Sequence, residues 1–244
     1  MKMLRPILIA TALLVPALAA TPAAINCQEN QASTDAVAVS SFVLTTVGDA
    51  LFVYTKSANA TATASVADNG TGGSQNYTQA SNSPYRAATG LSGALFTVAN
   101  TTSAVNGATI TATWTAGTSS DIIVCEVSNS LTSAVLDGNV GATCAGCTSL
   151  TSGSLTTANA NDLLIFCVSG LISLGTQAPG TGYAIPSGAT GTRSFCQTKA
   201  VSVTQSGVTT SASWSVSATE VISAFFGIKG TSTAAISGQF PRVL

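Results

Sequence analysis

Nine carboxylates and six cysteines are the residues of this 244-residue chain best suited to acid–base, metal or redox chemistry, and histidine is absent. Without histidine, the Ser/His/Asp and Cys/His relays have no proton carrier. A carboxylate pair of the kind that hydrolyses glycosides needs two acids facing each other across a cleft. The acids are Glu29, Asp35, Asp49, Asp68, Asp121, Glu126, Asp137, Asp162 and Glu220. Most stand at strand starts or in turns, where such side chains commonly bond the local backbone. Only Glu126 and Glu220 hold related places in similar segments, and edge-strand charge that discourages aggregation accounts for them without catalysis. The expectation is a non-catalytic protein with no catalytic residue and no cofactor.

The cysteines are Cys27, Cys125, Cys144, Cys147, Cys167 and Cys196. An even number in an exported chain favours disulfides, with 15 possible pairings for six. Cys125 and Cys167 lie in dense apolar runs, Ile122-Ile-Val-Cys and Leu163-Leu-Ile-Phe-Cys, as either a cross-strand bridge or buried thiols. Cys144-Ala-Gly-Cys147 sits in a glycine-rich loop. A redox role would need a helix N-terminus to lower a thiol pKa, and no helix is evident. A zinc role would need a second Cys or His pair at suitable spacing, which Cys167 and Cys196 do not supply. All six are therefore expected to be structural disulfides, with no metal.

Ligand chemistry is confined to loop residues. Asp68, Asn69, Asn76, Tyr77 and Tyr183 offer the amides, carboxylate and aromatic rings that a sugar-binding loop uses, although Asp68, Asn69 and Asn76 equally suit plain turns. Trp114 and Trp214 recur in equivalent strands, which points to core packing.

The elements that must position these residues are strands. Gly107–Val127, GATITATWTAGTSSDIIVCEV, returns as Gly207–Gly227, GVTTSASWSVSATEVISAFFG, with the tryptophans aligned without a gap. Each copy reads as a hairpin of one alternating and one dense strand. A looser echo matches Asp49-Ala-Leu-Phe-Val-Tyr to Asp162-Leu-Leu-Ile-Phe-Cys. Strands are predicted at 36–44, 50–56, 61–67, 76–80, 85–89, 93–99, 108–115, 121–128, 153–157, 162–169, 193–203, 208–216 and 220–229. Turn signals such as Asp68-Asn-Gly, Asn106-Gly, Leu136-Asp-Gly-Asn and Ser206-Gly stand between them. Alternating strands should keep one face wet, and dense ones should lie centrally in a sheet. The reading is an all-β, two-sheet antiparallel β-sandwich of jelly-roll type, built from an internally duplicated half.

Residues 1–20 carry Lys2 and Arg5, an apolar run from Ile7 to Val15 and a small-residue site at Pro16-Ala-Leu-Ala-Ala, the layout of a secretory signal peptide. That run is too short to span a bilayer, so no membrane insertion is expected after cleavage. An N-terminal segment (21–35), one sandwich domain (36–229) and a C-terminal tail (230–244) follow. Only 7% of residues are charged and the net charge is -1. Eight scattered basic residues do not make the clustered patch that nucleic acid or an anionic membrane requires.

Several segments together carry a resemblance: Gly48-Asp-Ala-Leu-Phe-Val, Asn76-Tyr-Thr-Gln-Ala, Gly93-Ala-Leu-Phe-Thr-Val-Ala-Asn, Thr109-Ile-Thr-Ala-Thr-Trp, Leu136-Asp-Gly, Leu155-Thr-Thr-Ala-Asn-Ala-Asn-Asp-Leu-Leu and Gly180-Thr-Gly-Tyr. In this order they resemble a jelly-roll domain recurrent in exported bacterial proteins, similar in outline to concanavalin-A-like lectin folds. The resemblance implies a β-sandwich in an extracellular or cell-surface protein and carries no site residues. The expected function is a secreted, non-catalytic role in surface or matrix structure and adhesion. Its partners would be copies of itself or other surface components, joined by a strand from Gln28–Val43 or from the tail. The alternative is a carbohydrate-binding, lectin-like module with polysaccharide as its partner.

Overall fold

The computed structural model describes residues 20–231; the signal-like segment and all but the start of the tail lie outside the described residues. Among the described residues sixteen strands form four antiparallel sheets, so the all-β sandwich reading holds. The first half of the chain contributes β1 (Ala23–Ala32), β2 (Ala36–Val39), β3 (Ala50–Ser57), β4 (Ala64–Asp68), β5 (Thr78–Gln79), β6 (Tyr85–Arg86), β7 (Ser92–Val98), β8 (Ile110–Trp114) and β9 (Ser120–Ser128). The second contributes β10 (Leu136–Cys144), β11 (Cys147–Thr151), β12 (Asp162–Gly170), β13 (Gln177–Ala178), β14 (Ser194–Val201), β15 (Ser211–Ala218) and β16 (Val221–Lys229).

Strand order repeats between the halves. One large sheet runs β1-β9-β3-β7, with β5 and β6 on the far edge of β7, and the other runs β10-β16-β12-β14. One small sheet runs β2-β8-β4 and the other β11-β15-β13. Setting aside β5 and β6, each strand of the first half has a counterpart at the same place in chain order and sheet order. The duplication read from the two tryptophan hairpins therefore extends to the whole topology.

The layering follows from the dense strands. Every residue of β3, β7 and β12 is buried, as are all but the last of β9 and β16. A strand buried along its whole length has both faces covered, because successive side chains point to opposite faces. On one face Phe52, Tyr54, Ile123, Cys125, Ile165, Cys167, Ala224 and Phe226 form a core between the two large sheets. On the other, Leu51, Val53, Ile122 and Val124 pack under the first small sheet with Trp114, and Leu164, Phe166 and Phe225 pack under the second with Trp214. The sandwich is thus four sheets deep. Each half closes its own outer core, and the halves meet at a third, where Phe52 and Phe226 touch edge to face at 5.4 Å. Both tryptophans are core residues, and each indole N–H is satisfied, by Thr55 Oγ1 at 3.1 Å and by the Cys147 carbonyl at 3.0 Å.

Several expected boundaries shift. Residues 21–35, read as a segment outside the sandwich, contain β1, which pairs with β9 from Ala23↔Ser128 to Ala32↔Ser120. Its polar run Gln28-Glu-Asn-Gln hid it, because a strand on a sheet edge can be polar where it meets solvent and loops. The proposed donor segment Gln28–Val43 is already used within the chain, since β1 and β2 pair with β9 and β8. Leu136-Asp-Gly-Asn, read as a turn, opens β10 through an irregularity between Leu136 and Asn139, where Gly138 takes a φ of 83° that suits glycine. The expected strand at 153–157 reduces to one bridge, Leu155↔Val208, and those at 76–80 and 85–89 shorten to the two-residue strands β5 and β6.

Candidate functional site

The six cysteines form three bridges, Cys27–Cys125, Cys144–Cys147 and Cys167–Cys196, and no described cysteine is free. Cys125 and Cys167 do not join each other. Each bridges to a neighbouring strand of its own sheet, with Cα atoms 4.1 Å and 4.0 Å apart. The Cys-Ala-Gly-Cys loop is the tight turn between β10 and β11, closed by its own bridge. Three disulfides suit an oxidising, extracellular setting, and no described helix is long and apolar enough to cross a membrane.

The tentative ligand residues separate into two places. Asp68 ends β4, and Asn69, Asn76 and Tyr77 belong to the excursion that follows it. There Asp68 accepts from the backbone N–H of Gly70 (2.9 Å) and Gln75 (2.8 Å), and Asn69 Oδ1 accepts from Thr109 N–H at 2.7 Å. These two side chains are occupied in shaping the loop. Tyr77 is packed against the first outer core, and burial pushes its hydroxyl pKa up. Tyr183 lies in the other half against the second outer core, its pKa pushed up to about 12 by burial, with Lys199 Nζ 5.8 Å from its ring centroid. The two tyrosines thus belong to different cores and do not form one binding surface.

Glu126 and Glu220 are likewise not brought together. Glu126 accepts from the N–H groups of Thr45 and Thr46, both at 2.8 Å, whereas Glu220 accepts from Thr89 N–H at 2.9 Å. Each carboxylate pins a different loop, which is a structural use. Glu126 instead neighbours Asp49, and Asp162 neighbours Asp137. Burial first, and the adjacent carboxylate second for Asp49, raise the Asp49 pKa to about 6; burial and the Asp137 charge do the same for Asp162. Asp49 immediately precedes β3 and Asp162 opens β12, so the duplicated Asp-x-Leu signal marks equivalent aspartates, whose carboxylate partners, Glu126 on β9 and Asp137 on β10, are not equivalent.

A pH dependence follows from their sign. A carboxyl whose folded pKa lies above its unfolded value near 4 binds its proton more tightly when folded. Its stabilising contribution is full below pH 4 and is lost as the pH rises through about 6. An Asp49→Asn/Asp162→Asn variant, which fixes the protonated shape, should show a flatter melting temperature between pH 4 and 7 than the wild type. Parallel curves in differential scanning calorimetry would contradict this.

The most concentrated chemistry lies where sequence reading placed none, between the two large sheets. Lys56 on β3 and Asp121 on β9 are direct cross-strand partners. Their side chains are 0% and 1% exposed, with Nζ 3.2 Å from Oδ2. From the other half, Arg193 donates to Asp121 Oδ1 at 2.6 Å and Ser194 Oγ to Oδ2 at 2.6 Å. Arg193 also bonds Ser119, and Ser194 Oγ lies 2.7 Å from Ser169 Oγ. Gln31 stands opposite Asp121 on the far side of β9, and Glu29 is one pleat along on the same face. Burial pushes the Lys56 pKa down, with Arg193 adding to the effect and Asp121 opposing it. Burial pushes the Glu29 pKa up, with the Asp121 charge contributing. Lys56 reads in sequence as the polar end of an apolar strand, and only the stacking of the sheets buries it.

Comparison with protein-family models, with curated proteins and with solved structures returned no match.

Proposed function

We propose that the chain is a secreted, non-catalytic structural protein of the cell surface or matrix that associates with copies of itself. The observation that carries this reading is the outward surface of the two small sheets. On the first, Ala36, Thr113 and Ser65 stand abreast, followed by Ala38, Thr111 and Ala67. On the second, Ser149 and Ala178 flank Ser213, and Thr151 stands beside Ser211. Asp68 is the one charged residue on the six strands of these sheets. Sheet edges that must stay apart usually carry charges, prolines or bulges. A face of small side chains with nearly uncharged edges favours stacking or edge pairing instead. Export is supported by the short apolar run after Lys2 and Arg5, and residues 231–244 remain the candidate strand for exchange between copies.

Light scattering and electron microscopy of the purified protein test this. The wild type should form ordered oligomers or filaments, and Ala67→Lys/Thr113→Lys should remain monomeric at an unchanged melting temperature. A wild type that stays monomeric at high concentration defeats the reading. If deletion of 231–244 leaves assembly intact, strand exchange by the tail is excluded and the faces remain.

A lectin-like module is the second reading, favoured by the recess of about 260 Å³ bordered by Gly180, Thr181, Tyr183, Lys199 and Thr209. Retention on an insoluble polysaccharide that Lys199→Ala abolishes would support it.

A further inference from the structure

We propose that Lys56 and Asp121 condense to form an intramolecular amide that covalently joins β3 to β9 in the mature protein. The two residues are opposed in register on adjacent strands. Their reacting ends are 3.2 Å apart and sealed from water, with side-chain exposures of 0% and 1%. Outside that ion pair, Nζ has no hydrogen-bond partner among the described residues. Holding an amine and a carboxyl at contact distance in fixed strands supplies the orientation that makes a slow condensation effectively unimolecular. Exclusion of water removes the competing solvent and favours loss of a water molecule from the site.

The surrounding groups fit the steps. Within the ion pair one proton passes from Nζ to Oδ2, giving a neutral amine and a carboxylic acid, a transfer favoured by the burial that lowers the lysine pKa. The amine lone pair then adds to Cγ. Negative charge develops on Oδ1, where Arg193 already donates at 2.6 Å, as a preorganised donor should. The Cγ–Oδ2 bond breaks, assisted by the Ser194 hydroxyl at 2.6 Å. Oδ2 departs as water, carrying the acid proton and a second proton from the nitrogen. One secondary amide and one water result, and no oxidant or co-reactant is consumed.

Glu29, on the same face of the sheet as Lys56 and Asp121, is assigned the relay of that second proton. It projects from β1 onto the same face, and a Cβ at Gly191 would overlap its carboxylate, which locates it against the loop that leads into Arg193. Its Oε1 is buried without a hydrogen-bond partner among the described residues, and its raised pKa suits a group that takes and returns protons. The reaction turns over once, on the chain's own side chains, and is compatible with a protein that has no external substrate.

Mass spectrometry of the purified full chain, after reduction, alkylation and identification of its N-terminus, provides the test. The expected mass is about 18 Da below that of the sequence, the loss of one water. Trypsin should fail to cut after Lys56. The peptide ending at Arg86 should then remain joined to the one spanning Ala87–Arg193. A wild-type chain of full mass that is cleaved at Lys56 overturns the proposal. Lys56→Arg, which keeps a cation beside Asp121, should restore both the full mass and cleavage at position 56. Glu29→Gln, with folding checked by near-ultraviolet circular dichroism, should leave at least a tenfold larger fraction of unlinked chain. Complete linkage in that variant would remove Glu29 from the mechanism.

Discussion

Replacing Asp121 by alanine is expected to cost about 3–5 kcal/mol of stability, the range for removing one partner of a buried ion pair. In a domain of this size that lowers the melting temperature by about 6–20 °C. The loss is large because Asp121 serves two cations: Lys56 from its own half at 3.2 Å and Arg193 from the other at 2.6 Å. Without the carboxylate, a fully buried ammonium has no counter-charge, and Arg193 and Ser194 lose their acceptor. The control is the double variant Lys56→Met/Asp121→Leu, which fills similar volume without charge. It should recover much of the loss, since it removes the buried uncompensated ammonium and leaves only Arg193, whose side chain is 19% exposed and keeps access to solvent. Chemical denaturation of the three proteins measures this. A loss below about 1 kcal/mol for Asp121→Ala would mean that water reaches Lys56 and that the site is not sealed. If the amide forms, its loss adds to the cost of the single and the double variant alike, and the difference between those two variants still measures the uncompensated ammonium.

The second large effect lies in the disulfides, which should rank by the loop each closes. Cys27–Cys125 spans a sequence separation of 98, Cys167–Cys196 one of 29 and Cys144–Cys147 one of 3. On the chain-entropy account these contribute about 4.7, 3.6 and 1.6 kcal/mol. Cys27→Ala/Cys125→Ala should therefore destabilise most, and it also frees edge strand β1 from the centre of its sheet. Alanine pairs are the right variants, because serine would bury hydroxyls in the central core. Access runs in the opposite order. Both long-loop bridges have their sulfurs in the core between the large sheets, whereas Cys144 and Cys147 are only half buried at a turn. Mild reduction of the folded protein should open Cys144–Cys147 first, with the smallest fall in melting temperature of the three. Equal denaturation midpoints for the three alanine pairs would contradict the ranking.

The all-β character, the duplication and the core role of both tryptophans were legible from residues 107–127 and 207–227 because alternation and dense β-branched runs are local signals. The dense runs also held their central places, since a strand that is apolar on both faces must be covered on both. Weaker local signals failed for physical reasons. Strand β1 is polar because it lies on a sheet edge, and Leu136-Asp-Gly-Asn combines turn chemistry with strand pairing through an irregular first pair. The carboxyl pairs were half visible, since Asp49 and Asp162 match as the openings of related strands, but what stands beside them is set by other strands.

Taken alone, the sequence determined that this chain is a duplicated antiparallel β-sandwich with six cysteines, few charges and no histidine, because composition and periodicity are properties of the chain itself. Tertiary structure decided the rest: the depth of four sheets, the disulfide partners and the burial of Lys56 beside Asp121, with Arg193 on the same carboxylate and Glu29 on the same face. Those four residues come from β3, β9, the approach to β14 and β1. Strand order and register within the first large sheet bring Lys56, Asp121 and Glu29 to one face, the stacking of the second large sheet adds Arg193, and no spacing within any one segment encodes either contact.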